Sequence, residues 1–377
     1  MALKQILGRS LVNFRGWKTR KKIIVIESDD WGSIRMPSKE VYEQCIKAGY
    51  PVNKIAYEKY DSLASEDDLE LLFNLLTSFR DKNGNHPIIT ANCVVANPDF
   101  NKIKAGYFKN YYFELITDTF KRYPKHSNCF KLWTEGIKAK IFHPQYHGRE
   151  HINVSLFMDD LRKGSPHVLF GFDRQMPGCI PLGPEVKGND YVEATNYFSR
   201  PDKDEKLTFF LEGLVLFEGL FGYKSESIIP PNYIWSPDYD RPISIAGVKY
   251  IQGSRKMREP NPYGRSKYYS HYLGQINQYG QVYLLRNALF EPSLFRLGIQ
   301  DPVSYCLTDI SMAFRMHRPA IISSHRVNYV GFIEPLNRDR TLRLLKNLLT
   351  AALKYWPDIE FMTSDKLGQL IQNHESN

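Results

Sequence analysis

The chain has no long run of apolar residues. Of its 377 residues, 42% are hydrophobic and 24% are charged, which is ordinary for a globular protein. A helix needs about 18 or more consecutive apolar residues to cross a bilayer, so the sequence predicts no transmembrane segment. The N-terminal segment also lacks the apolar core and the small-residue cleavage site of a secretory signal. We therefore expect a cytoplasmic protein.

Cysteine is scarce, and its spacing excludes several kinds of site. The five cysteines are Cys45, Cys93, Cys129, Cys179 and Cys306. No two of them have C-x-x-C spacing, which excludes the common zinc-ribbon and dithiol redox motifs. Their odd number and wide separation argue against a disulfide framework. We expect reduced, mostly structural thiols.

Clustered positive charge is missing, although the chain is basic overall. It has 50 Lys and Arg against 41 Asp and Glu, a net charge of +9. These residues are spread along the chain, whereas nucleic-acid-binding domains gather them on one face, so we predict no nucleic-acid partner. Residues 1–20 form a basic lead-in with apolar residues at helical spacing. This amphipathic lead-in could pack on the domain or make peripheral contact with a membrane surface.

Short apolar strands alternate with amphipathic helical segments along the chain. This alternation predicts an α/β fold with a largely parallel sheet, in a single domain over residues 21–370. A segment at about 255–285 has little periodicity and is predicted to be an inserted surface loop. Strands are predicted at 23–33, 86–96, 138–142, 167–170, 227–229, 248–252, 320–324 and 360–362. Helices are predicted at about 38–48, 65–79, 205–221, 302–317 and 338–355, and from about 153.

Two adjacent carboxylates, Asp29 and Asp30, follow an apolar β-branched run in the sequence IIVIESDDWGS. The carboxyl ends of parallel strands are where α/β proteins place their reactive groups. Neighbouring residues at a strand end point in different directions, so one carboxylate can bind a metal while the other accepts a proton. The alternative is an Asp-Asp turn that caps the next helix, since Asp is favoured in both settings.

Three histidines occur at successive spacings of four in the sequence HPQYHGREH. They are His143, His147 and His151, and such crowding is typical of metal ligands. Pro144 and Gly148 indicate that this stretch is a strand end followed by a loop, not a helix. The alternative is a group of three hydrogen-bonded surface histidines.

A further histidine, His325, ends the predicted strand AIISSH. Its ordinary pKa is close to neutrality, so a histidine in this position can act as a general acid or base. Alone, such a residue is more often structural. In a barrel, however, the ends of different strands converge on one site, which would bring His325 towards Asp29 and Asp30.

Together these motifs resemble those of the polysaccharide deacetylase family, also called the NodB-homology or carbohydrate esterase 4 group. The family has an Asp-Asp pair after its first strand, matched by ESDDWGS, and an H-x-x-x-H motif, matched by HGREH. The resemblance implies a deformed (β/α) barrel of the NodB-homology type with inserted loops. It implies that Asp29 is the catalytic base. It also implies a divalent metal held by Asp30, His147 and His151, with His143 as an alternative ligand because its spacing from His147 is the same.

The remaining family motifs match less well. The third reads Arg-x-Pro-Tyr-Gly, often followed by Trp, and the corresponding stretch here is IPPNYIW. Ile229 stands where the family has Arg, which normally orients the catalytic Asp, so Arg149 or Arg258 would have to replace it. The fourth motif, an Asp-Trp pair, has only a poor substitute in RNALFEP near Glu291. The fifth, Leu-x-His, is matched in part by SSH, which makes His325 the candidate general acid.

The resemblance predicts a metal-dependent hydrolase that removes an acetyl group from an N- or O-acetylated sugar or glycan precursor. Two histidines and one carboxylate with an open position suit Zn best, with Co or Mn as alternatives. Tyr233 and Trp235 are candidates for binding the sugar. One alternative is a catalytically silent relative that binds carbohydrate without turnover. Another is a hydrolase of a different acyl or formyl amide that uses the same metal site.

Overall fold

The structure is a computed structural model that describes residues 10–177, 191–294 and 299–375. Cys179 and residues 1–9 of the lead-in lie outside the described residues. The cysteines within them are buried free thiols, as predicted: Cys45, Cys93, Cys129 and Cys306. Among the helices described, none is both long enough and apolar enough to cross a membrane.

A parallel sheet forms the centre of the fold. The strands of the described residues are β1 (Lys22–Trp31), β2 (Ile89–Val94), β3 (Ala96–Pro98), β4 (Phe113–Leu115), β5 (Phe142–Gly148), β6 (Ser227–Ile228), β7 (Tyr250–Gly253), β8 (Lys256–Glu259), β9 (Lys267–Ser270), β10 (Val282–Leu285), β11 (Ala288–Leu289), β12 (Ala320–His325) and β13 (Ile359–Phe361). The central sheet has the order β10-β7-β6-β5-β2-β1-β12-β11, and β13 pairs with the start of β1. The antiparallel pairs β3-β4 and β8-β9 lie outside it.

The central sheet curls into a deformed barrel. Strands β10 and β11 lie at its opposite edges, yet only Arg286 and Asn287 separate them in the chain. The backbone N–H of Arg286 donates to Gly253 of β7 (3.0 Å), and that of Asn287 donates to Ile321 of β12 (3.1 Å). This short connection therefore joins the two edges. The deformed (β/α) barrel predicted from the sequence is confirmed.

Side chains of β1 alternate between the inside and the outside of the barrel, as the pleat of a strand requires. Val25 lies in an interior apolar cluster with Leu367, whereas Ile26 belongs to the larger core between the sheet and the outer helices. Further along β1, the positions in phase with Val25 are Glu27 and Asp29, both buried. The interior is therefore apolar at the amino end of the strands and polar at their carboxyl end.

Helices surround the sheet, and several begin at side-chain caps. Ser38 caps the helix that begins at Lys39, and Ser65 forms a capping box with Asp68 at the start of the helix that begins at Glu66. Residues 10–14 are helical. The other α-helices of the described residues are α1 (Lys39–Lys47), α2 (Ala56–Tyr60), α3 (Glu66–Thr77), α4 (Phe100–Ala105), α5 (Ile116–Arg122), α6 (Cys129–Lys138), α7 (Val154–Arg162), α8 (Pro166–Phe172), α9 (Arg200–Phe221), α10 (Asp240–Ile245), α11 (Pro302–Arg315), α12 (Pro335–Tyr355) and α13 (Ser364–Glu375).

Two predicted strands are wrong. Instead of a strand at 138–142, α6 continues to Lys138 and β5 runs through the stretch that was predicted to be a loop. We attribute the tolerance of Pro144 in β5 to its neighbour β6, which has only two residues and pairs with β5 at Tyr146 alone. The strand predicted at 167–170 is helix α8, which begins at Pro166, a favoured first helical residue.

The segment at 255–285 is only partly a surface loop. Strands β8 and β9 form a hairpin, and β9 is exposed along its whole length. Strand β10, in contrast, is fully buried and pairs with β7 in the central sheet. Its four residues follow the turn at Gly280 and are too few to show a strand pattern in the sequence.

Candidate active site

The carboxyl ends of several strands open into one cavity of about 290 Å³. It is small, polar and placed where a parallel barrel presents its loops. Its lining within the described residues is Asp29, Asp30, Arg35, Tyr57, His147, His151, Val192, Pro230, Asn232, Tyr233 and His325. The structure therefore brings the Asp-Asp pair, two of the three clustered histidines and the strand-end histidine to the same place.

A backbone irregularity turns both carboxylates of β1 towards the cavity. Consecutive strand residues normally face opposite sides of a sheet. Here the pairing of β1 with β2 shifts register between Ser28 and Trp31, and Asp30 adopts a left-handed conformation with φ of 72°. Such a φ is uncommon for a residue other than glycine and is concentrated at functional sites. Asp29 and Asp30 therefore share the cavity but contact different partners.

Asp30, His147 and His151 form a compact, buried triad. The Asp30 Oδ1 atom lies 3.5 Å from His147 Nε2 and 3.3 Å from His151 Nε2. One donor atom from each residue lies within 4.8 Å of the other two. The Nδ1 atom of His147 lies 2.8 Å from the carbonyl oxygen of Ile229, which can only accept, so Nδ1 donates and Nε2 faces the triad with its lone pair.

The electrostatics of the triad suit a metal ion. Burial lowers the pKa of His151 to about 3, so its imidazole is neutral and able to coordinate. Burial also acts on Asp30, but the neighbouring His151 and His147 outweigh it and keep the pKa of this carboxyl well below its ordinary value. The Nδ1 atom of His151 is buried without a hydrogen-bond partner in the described structure. Two imidazoles and one carboxylate are a donor set that could hold a divalent metal.

Asp29 lies beside the triad in a separate network. Arg286 donates to its two carboxylate oxygens at 2.7 and 2.5 Å, and the Asn92 amide donates to Oδ1 at 2.8 Å. Burial raises the pKa of Asp29, but the charge and hydrogen bonds of Arg286 outweigh burial and lower it to about 2. Asp29 is therefore ionised across the neutral pH range.

Arg286, which the sequence analysis missed, makes the contact with Asp29 that the resemblance had led us to expect from an arginine. It is buried, its Nε donates to Glu27 at 2.7 Å, and its Nη1 lies 3.2 Å from the Tyr233 hydroxyl. Arg149 instead pairs with Glu150 and Glu212, and Arg258 pairs with Glu193. The expectation that one of these two arginines would replace the missing family arginine was therefore wrong.

His325 is held by a second carboxylate that sequence reasoning dismissed. Its Nδ1 contacts Glu291, and its Nε2 lies 3.6 Å from Asp29 Oδ2. Glu291 also accepts a hydrogen bond of 2.7 Å from Asn328. Burial lowers the pKa of His325, but Glu291, with help from Asp29 and Asp30, outweighs burial and raises it to about 9. The segment RNALFE thus supplies both Arg286 and Glu291, the partners of the two catalytic candidates.

Two residues proposed from the sequence lie elsewhere. His143 is four residues before His147 on β5, hydrogen-bonds to Gln145 (3.0 Å) and stacks on Tyr223, so the alternative ligand is outside the triad. Trp235 is buried in the core, where its indole N–H donates to Asp240 at 2.8 Å. It does not line the cavity that the described residues form, so the structure does not bring it to the site. Tyr233 does line it.

Comparisons with known proteins support the fold and do not identify the reaction. No protein-family model and no curated protein sequence matches the chain. A structure from Parabacteroides distasonis, described as a glycoside hydrolase/deacetylase, matches with a TM-score of 0.51 and 10% identity, over 95% of this chain and 73% of that one. A polysaccharide deacetylase structure from Pseudomonas aeruginosa PAO1 has a TM-score of 0.46 and 10% identity, over 94% and 91%.

A third structure, a 4-alpha-glucanotransferase from Thermococcus litoralis, is 10% identical with a TM-score of 0.43. It is matched over 92% of this chain and 40% of its own length. At such identities a likeness concerns the fold alone. Together with the curled parallel sheet and its surrounding helices, the Parabacteroides structure supports a (β/α) barrel of the NodB type.

Proposed function

We propose that the protein is a metal-dependent hydrolase that removes an acetyl group from an N- or O-acetylated sugar or glycan precursor. The observation that carries this proposal is the convergence of three units on one cavity. They are the Asp30, His147 and His151 triad, the Asp29–Arg286 pair and the His325–Glu291 pair. A metal site, an oriented carboxylate and a proton donor are together sufficient for hydrolysis of an acyl group.

The triad would hold the metal, and Zn fits two imidazoles and one carboxylate best. When bound, a divalent cation polarises the acyl oxygen and acidifies water. The chain's contribution is to keep His151 neutral by burial and to fix the His147 ring through the Ile229 carbonyl. The carboxylate of Asp30 supplies the negative charge.

Asp29 is the residue that would accept a proton from the attacking water. Arg286 and Asn92 hold its carboxylate in one orientation, which positions it for proton transfer. With a pKa of about 2, the Asp29 carboxylate is unprotonated at neutral pH and can accept a proton, but it is a weak base. Its use as a base therefore requires acidified water, which a metal at the neighbouring triad would supply.

His325 would donate a proton to the departing nitrogen or oxygen of the sugar. Because its pKa is raised to about 9, the imidazole carries a proton at neutral pH. Glu291 holds Nδ1, so Nε2 is the atom that faces the cavity and Asp29. The two candidates for proton transfer are thus adjacent, with one in its basic form and the other in its acidic form.

The catalytically silent alternative loses its main support. It was suggested by Ile229 and Asn232, which stand where the family has the arginine that orients the catalytic Asp and a tyrosine. Arg286 makes a two-point contact with Asp29 from another part of the chain. Arg286 therefore supplies the positive charge beside Asp29 that Ile229 cannot provide. A cytoplasmic location and peripheral membrane contact stay predictions of the sequence.

The proposal is tested by metal content and acetate release. Wild type and His147→Ala are dialysed without chelator and their metal is measured by elemental analysis. We expect about one equivalent in the wild type, much less in the variant and no loss in His143→Ala, a matched control on the same strand. Acetylated mono- and oligosaccharides are then screened for acetate release by the wild type and by Asp29→Asn.

Asp29→Asn is expected to keep its metal and lose turnover. Absence of metal from the wild type, even after reloading with Zn, Co or Mn, would contradict the proposal. Metal binding together with sugar binding but no release of any acyl group would instead favour the silent relative. Release of formate or of a longer acid would identify a different acyl group on the same centre.

A further inference from the structure

A chain of buried, hydrogen-bonded side chains inside the barrel ends at Asp29. Asn92 of β2 donates from its Nδ2 atom to Asp29 Oδ1 and to Gln252 Oε1 of β7, both at 2.8 Å. Gln252 Nε2 donates to the Ser227 hydroxyl of β6 at 2.9 Å, and this hydroxyl donates to Gln145 Oε1 of β5 at 2.8 Å. Strands β6 and β5 separate β7 from β2 in the sheet, so the bond between Asn92 and Gln252 crosses the barrel interior.

The direction of each hydrogen bond in this chain is fixed. The backbone N–H of Ser227 can only donate, and it donates to Gln145 Oε1 at 2.8 Å. Gln145 Nε2 donates in turn to the carbonyl of Pro144 at 2.9 Å, so the Gln145 amide has one orientation. The Ser227 hydroxyl uses its proton on Gln145 and therefore accepts from Gln252. Gln252 is thus left with its carbonyl oxygen facing Asn92.

Gln252 is one of two groups that hold the side chain of Asn92. The Oδ1 atom of Asn92 is buried and has no hydrogen-bond partner among the described residues. Its amide nitrogen has two hydrogens, and its two acceptors are Asp29 and Gln252. With Asp29 as its sole acceptor, the amide could turn about its side-chain bonds, whereas a second acceptor on the far side of the barrel fixes it.

Such a chain transmits orientation and not protons. Asn and Gln side chains neither gain nor lose protons near neutral pH, so this is not a proton relay. Asp29 accepts hydrogen bonds from Arg286 and Asn92, and both must be in place to hold its carboxylate in one position. Proton transfer is sensitive to that position, since a displacement of about 1 Å at a reacting group can cost about 100-fold in rate.

We propose that Gln252 is a positioning residue for the reaction, because it fixes the amide of Asn92 and, through it, the carboxylate of Asp29. This inference rests on the proposed function for the role of Asp29 as the base. The alternative is a purely structural role, in which the buried amides satisfy one another and stabilise the barrel interior. The two roles differ in what happens to Asn92 and to turnover when Gln252 is replaced.

The first test observes the Asn92 amide by NMR and needs no turnover. The protein carries nitrogen-15 in its asparagine side chains and is studied in the presence of Zn, and Asn92→Ser identifies the two Asn92 signals by their absence. Gln252→Met keeps the length of the side chain and removes both hydrogen-bonding groups. We expect the Asn92 signals to shift and their protons to exchange with water about tenfold faster, the size of one lost hydrogen bond.

Gln281→Met is the matched control. Gln281 is as buried as Gln252 and donates to the carbonyl of Val248 at 3.0 Å, but it lies just before the amino end of β10, at the opposite end of the barrel from the cavity. Its replacement also removes a buried amide. The Asn92 signals should be those of the wild type in this variant.

The second test is steady-state acetate release at a temperature where all variants are folded. We expect Gln252→Met to lower kcat by about tenfold or more, with KM and metal content near those of the wild type. Gln252 is not among the described residues that line the cavity, so it should not contribute to substrate binding. Ser227→Ala removes the acceptor of Gln252 and should lower kcat less, in the same direction. Both measurements are made on Ser227→Ala if Gln252→Met does not fold.

Unchanged Asn92 signals in Gln252→Met and Ser227→Ala would overturn the inference. So would a kcat that is unchanged in these two variants, or one that falls equally in Gln281→Met, because either result assigns Gln252 a structural role. A wild type that releases no acetate would contradict the proposed function, and the Asn92 signals would then decide alone whether Gln252 fixes Asn92.

Discussion

At the scale of single residues, Arg286 sets the charge state of the candidate base. It is the buried cation between Glu27 and Asp29, and removing it would leave both carboxylates without their partner. We expect Arg286→Gln to reduce the free energy of unfolding by about 3–5 kcal/mol. The pKa of Asp29 should rise, because burial would no longer be opposed, and kcat/KM for acetate release should fall by about 100-fold or more.

The control for Arg286→Gln is Arg318→Gln. Arg318 is also buried but donates to backbone carbonyls of the N-terminal segment, at the amino end of β12. Chemical denaturation should show that both variants are destabilised. Only Arg286→Gln should lose turnover at a temperature where both are folded. Equal kcat/KM for the two variants would show that Arg286 stabilises the fold without tuning the site.

The His325–Glu291 pair predicts the pH dependence of catalysis. A proton donor works only below its pKa, so the raised pKa of about 9 means that activity falls as the pH rises towards that value. A bound dication would repel the imidazolium and place this alkaline limit at or below pH 9. Glu291→Gln removes the charge that raises the pKa, and we expect the limit to move down by about 1–3 units.

The profile of kcat/KM against pH measures this limit. Glu226→Gln serves as the control, because the half-buried Glu226 pairs with Lys249 at the surface. An alkaline limit in Glu291→Gln that coincides with that of wild type, with activity retained below it, would mean that His325 is not the proton donor. A loss of activity at every pH with an unchanged limit would instead indicate that Glu291 only positions the ring.

The site residues that could be predicted from the sequence are those that lie close to one another along the chain. Asp29 and Asp30 are adjacent at the end of a strand, and the second and third histidines of the cluster are four residues apart. Arg286 carries no such signal, because it lies 257 residues from its partner Asp29. Glu291 lies 34 residues from His325, and only the pairing of β11 with β12 brings them together.

At the scale of elements, α9 packs so closely on β5 that one glycine decides the fit. A Cβ atom at Gly213 would come within 1.9 Å of the Tyr146 hydroxyl and within 2.9 Å of the Arg149 Cα. We expect Gly213→Ala to reduce the free energy of unfolding by about 1–3 kcal/mol through overpacking. The displaced strand end carries His147, so metal affinity should fall as well.

Gly219 provides the control within the same helix. A Cβ atom there would have no neighbour within 4 Å, so Gly219→Ala should stabilise the helix by about 0.5–1 kcal/mol. Urea denaturation of the two variants compares the effects directly. If Gly213→Ala were as stable as Gly219→Ala, the close approach of α9 to β5 would be wrong.

The start of a helix could be predicted where a capping residue marks it in the sequence. The caps Ser38 and Ser65 begin helices as predicted, since their side chains bond to backbone N–H groups that the helix leaves open. Strand β5 could not be predicted through Pro144, because proline is tolerated there only by virtue of its short neighbour β6. The four apolar or aromatic residues after Pro166 are too few to distinguish a strand from a helix.

At the scale of the whole molecule, the alternation of strands and helices sufficed to predict an α/β fold with a largely parallel sheet, and the family resemblance implied that this sheet forms a deformed barrel. Each βα unit is a local pattern, and parallel strands with covering helices leave few arrangements. The closure could not be predicted, because it depends on two residues, Arg286 and Asn287, that cross from one sheet edge to the other. That crossing also places the Arg286 side chain inside the barrel, so the unpredicted closure and the unpredicted catalytic partner have one cause.

A metal ion at the triad should stabilise the whole fold. Asp30 is the penultimate residue of β1 while His147 is the penultimate residue of β5, and β2 separates these strands in the sheet. A ligand that binds only the folded state adds about 2.7 kcal/mol to stability when its free concentration is about 100 times Kd. We therefore expect Zn to raise Tm in the wild type and in His143→Ala, but not in His147→Ala. A rise in His147→Ala equal to that of the wild type would show that the metal binds elsewhere, because that variant lacks a ligand the triad cannot replace.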